Sequence, residues 1–359
     1  QRCPRKRAEN VQLSWKKIME DVYSEECASS FCEGAFVMMI DMLKPNEVAV
    51  TPLVARSIAI LTAIFSVLCL DSVPGSANEY MTFKIYEHKY EKKTVPVQLS
   101  LPAGSFNAPY PLIITQHGSS PNKSFTEGPG NTDEYSYRLT KMATARGYAV
   151  AAIDAFFEKN LQPTDKRKFP LAHMYAEEIK NKLAVRQDID GSRLFYTGFS
   201  YGGTTTLYST IIPANPYKPS WRALAAAEPG CNAFPEPKWI THPILILKGA
   251  ESHYAPKPCR TFVDLFNKEG SKVTLKIFPK SNHHFSHNGR RTNGIAFNGC
   301  EDNPVILRFN GKHTFLDGSP ADKAEVRWRT CFTQRGGSGK TYEDLDAAIF
   351  TVIDFFDKS

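Results

Sequence analysis

Along residues 81–359, apolar positions fall into short runs separated by polar stretches that carry Gly or Pro. Residues 111–115 (PLIIT), 148–153 (YAVAAI), 222–227 (RALAAA), 243–247 (PILIL) and 272–278 (KVTLKIF) are such runs. Each is too short for a buried helix and is bounded by turn residues, so each predicts a strand, buried where the run is unbroken. Residues 193–197 (RLFYT) read the same way, and residues 81–87 and 95–101 predict an antiparallel pair. Between them the period changes. Residues 133–146, 171–186, 203–212, 258–268 and 341–356 predict helices, the first ending at Gly147. The last places Leu345, Ala348, Ile349, Val352, Ile353 and Phe356 on one side. Strands alternating with helices argue for an α/β class: a mostly parallel central sheet with helices on both faces. No repeat or linker divides residues 78–359, which predicts one domain there.

The first part of the chain reads differently. Residues 58–70 are a continuous, mostly apolar run, with Arg56 before it and Pro74-Gly75-Ser76-Ala77 after it. A positive flank, a short apolar stretch and a small residue at the end make a secretory signal peptide, here over residues 55–77 with cleavage after Ala77. The run falls short of the ~20 residues of a membrane span. An uncut signal anchor is the alternative. Residues 1–54 show no clean period, and Gln1 is not a start residue, so they read as an N-terminal extension outside the mature protein.

Composition narrows the choice of partner. The chain has 359 residues, 42% hydrophobic and 23% charged, which is ordinary for a globular protein. Its formal charge of +7 is scattered, with no long basic run after Arg7, so a nucleic-acid surface is not expected. With the signal segment removed, no membrane association is expected, and oligomeric state is left open. Of eight cysteines, Cys231, Cys259, Cys300 and Cys331 follow the signal segment. An even count in an exported chain predicts disulfides, paired 231–259 and 300–331, and a secreted or periplasmic location. No C-x-x-C pair is present, which argues against a zinc cluster.

The chemistry begins at Gly198-Phe199-Ser200-Tyr201-Gly202, a G-x-S-x-G between a predicted strand and a predicted helix. That context is what a nucleophile elbow needs: a sharp turn that exposes the Ser200 hydroxyl, with glycines at 198 and 202 where a side chain would collide. The pattern alone occurs by chance in about one chain in ten of this size. A catalytic serine also needs a base, an orienting carboxylate and oxyanion donors. His283 follows the last predicted strand and is preferred to His284 as base. Glu251 follows the preceding strand and is the expected acid, which gives the chain order Ser, acid, His. Gln116-His117-Gly118-Ser119-Ser120 follows an early strand, where the Ser119 N–H would be one oxyanion donor and the Tyr201 N–H the other. His117 is read as structural and His253 as a loop residue beside the site. His283, His284 and His287 make H-H-x-x-H, but no helix or partner carboxylate supports a metal there. No metal or cofactor is expected.

HGSS at 117–120, GFSYGG at 198–203, EPGC at 228–231, GAESHYAPKPCR at 249–260 and FPKSNHHF at 278–285 together resemble the dienelactone hydrolase family of α/β-hydrolases. The resemblance covers roughly residues 80–290 and, more loosely, the C-terminal helix. It implies the α/β-hydrolase fold, hydrolysis of a small-molecule ester or lactone, and a nucleophile–His–Asp triad without a metal. Two departures stand out. The family's named lactone enzymes carry cysteine where this chain has Ser200. Their acid lies three residues after the strand-end glycine, where this chain has Ser252, with Glu251 one place earlier. The rival expectations are a secreted serine peptidase on the same fold and a hydrolase-fold binding protein without turnover.

Overall fold

The computed structural model describes residues 77–359 apart from 89–90, 105, 164, 166–167, 289–295, 298–301, 322–331 and 334–338, and gives only the backbone of 88, 296–297 and 332–333. The described residues lie in one compact unit, Val73–Ser359. The N-terminal extension, the signal segment up to residue 76, and Cys300 and Cys331 lie outside the described residues.

Eight strands form the central sheet: β1 (Asn78–His88), β2 (Glu91–Ser100), β3 (Tyr110–Gln116), β4 (Ala149–Ile153), β5 (Ile189–Phe199), β6 (Ala223–Ala227), β7 (Ile244–Gly249) and β8 (Val273–Phe278). Their order is β1-β2-β4-β3-β5-β6-β7-β8. Strand β2 runs antiparallel to both neighbours, and every other pairing is parallel. A parallel pair cannot be closed by a tight turn and needs a crossover. Among the described residues, five α-helices flank the sheet: α1 (Glu134–Thr144), α2 (Ala172–Leu183), α3 (Tyr201–Tyr208), α4 (Lys257–Lys268) and α5 (Leu345–Asp357). Each falls within one of the predicted helical stretches or within two residues of it.

Strand periodicity sorts the core into two layers. Leu112 and Ile114 of β3, Leu194 and Tyr196 of β5, and Ile244 and Ile246 of β7 face α2, α3 and α4. Ile113, Phe195, Leu245 and Leu247, their alternate neighbours, face α1 and α5. On α5, Leu345, Ala348, Ile349, Val352, Ile353 and Phe356 are all buried, the stripe expected from the sequence. Burying a large aliphatic side chain is worth ~1.5–3 kcal/mol, so this stripe holds the last helix against the sheet. Helix α1 starts at Asp133, whose side chain accepts the Ser136 N–H and caps the first turn.

Outside the main sheet, Val305–Leu307 pairs antiparallel with His313–Phe315 and parallel with Ala233–Pro235. These three-residue strands are too short to show a period, and the sequence pattern does not reveal them. The expected disulfide joins Cys231 to Cys259 and ties the chain after β6 to α4. Among the described residues, no helix is long and apolar enough to cross a membrane.

Candidate active site

The parallel strands deliver their following loops to one end of the sheet. Four of these loops meet at Ser200. The turn between β5 and α3 holds Ser200 at φ 56°, ψ −110°, a strained conformation for a non-glycine residue. The Ser200 N–H donates to Ala227 O at 2.9 Å, which ties the turn to the end of β6. A Cβ on Gly198 would come within 2.5 Å of the Gly202 carbonyl carbon, and one on Gly202 would collide with the Gln116 carbonyl oxygen. The two glycines therefore permit the turn to nest against β3.

His283 arrives from the loop after β8. Its Nε2 lies 2.9 Å from Ser200 Oγ. The loop is fastened on both sides. Asn282 Oδ1 accepts the N–H groups of His284 and Ser286, and Ser286 Oγ accepts those of Thr341 and Tyr342. Ser281 Oγ donates to Asp344 Oδ2 at 2.5 Å, at the entry to α5. The segment leading into the C-terminal helix thus fastens the histidine loop through main-chain and side-chain bonds. Phe199, His253 and Tyr254 pack against the His283 ring, with centroids 5.2, 4.3 and 5.2 Å away. Burial pushes His253 down to about 2 and His284 down to about 4, so both rings are neutral near pH 7.

The carboxylate on His283 is that of Glu228, a correction to the expectation of Glu251. Glu228 Oε2 lies 3.0 Å from His283 Nδ1. A carboxylate only accepts, so Nδ1 carries the proton and Nε2 is left to accept from the Ser200 hydroxyl. Glu228 follows β6 directly, is fully buried, and sits at φ +51°. It follows the strand before the one that leads to Glu251. Ser252 occupies the position three residues after the strand-end Gly249, and its hydroxyl donates to Glu228 Oε2 at 2.7 Å. Glu251 is partly buried on the same loop, with its N–H donating to Ser281 O at 2.9 Å. The sequence does carry a signal for it: a glutamate directly after a buried, alanine-rich strand, in A-L-A-A-A-E-P-G.

A second residue missed in the sequence is Lys248, fully buried at the end of β7. Its Nζ lies 2.7 Å from Glu228 Oε2, 3.3 Å from Pro229 O and 3.4 Å from Ser252 Oγ. The Gly249 N–H donates to the other carboxylate oxygen, Oε1. Burial pulls the Lys248 ammonium below its usual range, and Glu228 opposes that pull.

The H-G-S-S loop forms the remaining wall. A Cβ on Gly118 would stand 3.3 Å from Ser200 Cβ, so the loop runs alongside the nucleophile. The Gly118 N–H is taken by Asp133 Oδ2 at 2.6 Å, which leaves Ser119 to offer the next N–H. Tyr201, the first residue of α3, carries one of the N–H groups that a helix N-terminus leaves over. His117 is fully buried; its Nε2 accepts the Ala155 N–H at 3.1 Å, and its Nδ1 lies 2.6 Å from Gly118 O. It braces the loop from beneath. The Tyr201 hydroxyl donates to Pro170 O at 2.6 Å, and its ring packs with Phe156 and Phe169. His287 of the H-H-x-x-H run pairs with Asp344 Oδ2 at 2.8 Å. Among the described residues, no group of three or more His, Cys, Asp and Glu is placed to hold a metal.

Eight strands ordered 1-2-4-3-5-6-7-8, one of them antiparallel, now carry a serine elbow after the fifth and a histidine after the eighth. The chain has the α/β-hydrolase fold. No protein-family model matches the sequence, and no curated protein does. Solved structures do resemble it. A Klebsiella pneumoniae protein provisionally named a dienelactone hydrolase matches at 18% identity and TM-score 0.42, over 58% of this chain and 88% of its own. The esterase Est2 of Thermogutta terrifontis matches at 14% identity and TM-score 0.42, over 60% of this chain and 88% of its own. Pyrococcus horikoshii acylaminoacyl peptidase matches at 13% identity and TM-score 0.43, over 60% of this chain but only 39% of its own. Likenesses at this level say nothing of activity, and the sheet order and crossovers carry the fold.

Proposed function

We propose that this protein is a serine hydrolase of small carboxylic esters or lactones. One observation carries the reading: a single buried imidazole bridges the Ser200 hydroxyl at 2.9 Å and the Glu228 carboxylate at 3.0 Å. Ser200 Oγ attacks the acyl carbon as His283 Nε2 takes its proton. The negative charge that develops on the carbonyl oxygen is held by the N–H groups of Ser119 and Tyr201. Glu228 keeps the imidazole in the tautomer that can accept, and faces the imidazolium once it forms. His283 then returns the proton to the leaving alkoxide, and water, activated by the same ring, releases the acyl group. For a lactone, the leaving alkoxide stays tethered to the acyl group.

Export by the apolar segment at residues 58–70 is part of this reading, and the 231–259 disulfide is consistent with an oxidising compartment. N-terminal sequencing of the protein recovered outside the cytoplasm tests it; a terminus upstream of that run would contradict it.

A fluorophosphonate probe and a panel of substrates test the enzyme. Wild type is expected to label at Ser200 and to hydrolyse short nitrophenyl esters or lactones faster than aminoacyl or dipeptide amides. Labelling of Ser200→Ala at the wild-type level would overturn the assignment. Preference for amides would move it to the peptidases, and labelling without turnover would leave a binding protein.

A further inference from the structure

Lys248 is the group near the site that the proposed reaction leaves without a task. A fully buried ammonium is costly to desolvate, and a nonpolar side chain could fill the space. Its three N–H donors meet three acceptors: Glu228 Oε2, Pro229 O and Ser252 Oγ. A neutral amine has only two N–H groups, so this arrangement suits the charged form.

The decisive feature is a shared oxygen. Lys248 Nζ and His283 Nδ1 both reach Glu228 Oε2, at 2.7 and 3.0 Å. In the resting site one ammonium and one carboxylate balance, and the imidazole is neutral. Protonating His283 there would leave a buried net positive charge. In a histidine–carboxylate pair without the lysine, the same protonation would instead cancel a charge. The other titratable neighbours do not alter this balance. His253, from the loop after β7, and His284, on the histidine's own loop, are held neutral near pH 7 by burial. Tyr254 of the β7 loop packs its ring against the imidazole at 5.2 Å, and Lys340, exposed beyond His284, adds to the positive side.

Resting on the hydrolase reading above, we infer that Lys248 is a positioning residue whose charge offsets Glu228 and keeps His283 unprotonated, and so able to act as a base, in mildly acidic solution. The cost is weaker support for the imidazolium that forms during the reaction. Removing the charge therefore raises the pH at which the base loses its proton and leaves the rate at high pH little changed. If Glu228 picks up a proton once its partner is gone, the acid limb moves in the same direction.

The experiment compares pH profiles of kcat/KM for a nitrophenyl ester in wild type, Lys248→Gln and Lys248→Met. Glutamine keeps a donor toward Glu228 without the charge, and methionine removes both. The expected result is an acid limb shifted upward by about 1–2 pH units in both variants, the range for one charge a few ångströms away. At pH 9 both are expected to stay within about tenfold of wild type. A uniform fall at every pH, or an unshifted limb, overturns the inference, because a merely structural lysine would lower the rate without moving the profile. If neither variant folds, wild type decides: its acid limb must lie below the ordinary imidazole value of about 6.5, and a limb at or above it overturns the inference. A wild type that neither labels at Ser200 nor turns over ester sinks the hydrolase reading instead, so the two failures stay distinct.

Discussion

Replacing Glu228 with glutamine separates the acid the structure indicates from the one the sequence suggested. The carboxylate accepts from Lys248, Ser252 and His283 on Oε2 and from the Gly249 N–H on Oε1. An amide offers one acceptor oxygen and an NH2 group. With its oxygen toward His283, the NH2 confronts the Gly249 N–H; turned over, it confronts an ammonium, a hydroxyl and the His283 N–H. The imidazole then loses either its orienting acceptor or its tautomer, and in both cases the opposing charge. Loss of the orienting carboxylate in a Ser-His-acid triad costs on the order of 10⁴ in kcat, so a 10³–10⁴-fold fall in kcat/KM is expected, or about 4–5.5 kcal/mol of transition-state stabilisation. The variant also leaves Lys248 buried without its counter-charge, which costs about 3–5 kcal/mol of fold stability. Rates must therefore be read at a temperature where circular dichroism finds the variant folded. The assay is nitrophenyl ester hydrolysis, alongside the rate of fluorophosphonate labelling. Glu251→Gln is the control and is expected to change kcat/KM less than about threefold. The reasoning is refuted if Glu228→Gln keeps more than a tenth of the activity, or if Glu251→Gln falls as far.

Other consequences are open to measurement. Asp133→Ala frees the Gly118 N–H and uncaps α1; kcat is expected to fall about 10–100-fold with KM little changed, since one donor in an oxyanion site is worth up to 10²–10³, and a change confined to KM would contradict this. His173 is buried, and desolvation pulls it down to about 4, so the folded protein refuses a proton that the unfolded chain accepts below about 6.5. Stability therefore falls as pH drops from 6.5 toward 4. His173→Gln is expected to remove up to about 3 kcal/mol of that slope in urea unfolding, and an unchanged slope would refute the assignment. Replacing Cys231 and Cys259 together by serine reopens a link between positions 28 residues apart and is expected to cost about 2–4 kcal/mol, read as a lower urea midpoint.

Much of this molecule was legible in its pattern of apolar runs. Parallel strands buried on both faces must be almost wholly apolar, and they must alternate with helices because a crossover has to return the chain. Local composition therefore determined the strands of the main sheet, the helices and the class. The elbow was legible for a related reason: a strained turn pressed against its neighbours leaves only glycine at 198 and 202, and that demand is written within five residues. The acid was not. Both Glu228 and Glu251 follow a strand in the same layer, and only the packing of β6 against β7 decides which carboxylate reaches the ring after β8. Lys248 was hidden similarly, since a lysine ending a strand looks like a solvent-facing cap until the neighbouring strand puts a carboxylate against it. Short-range backbone demands leave a record along the chain, whereas the meeting of charges from separate loops is set by strand order and register, which no local stretch contains.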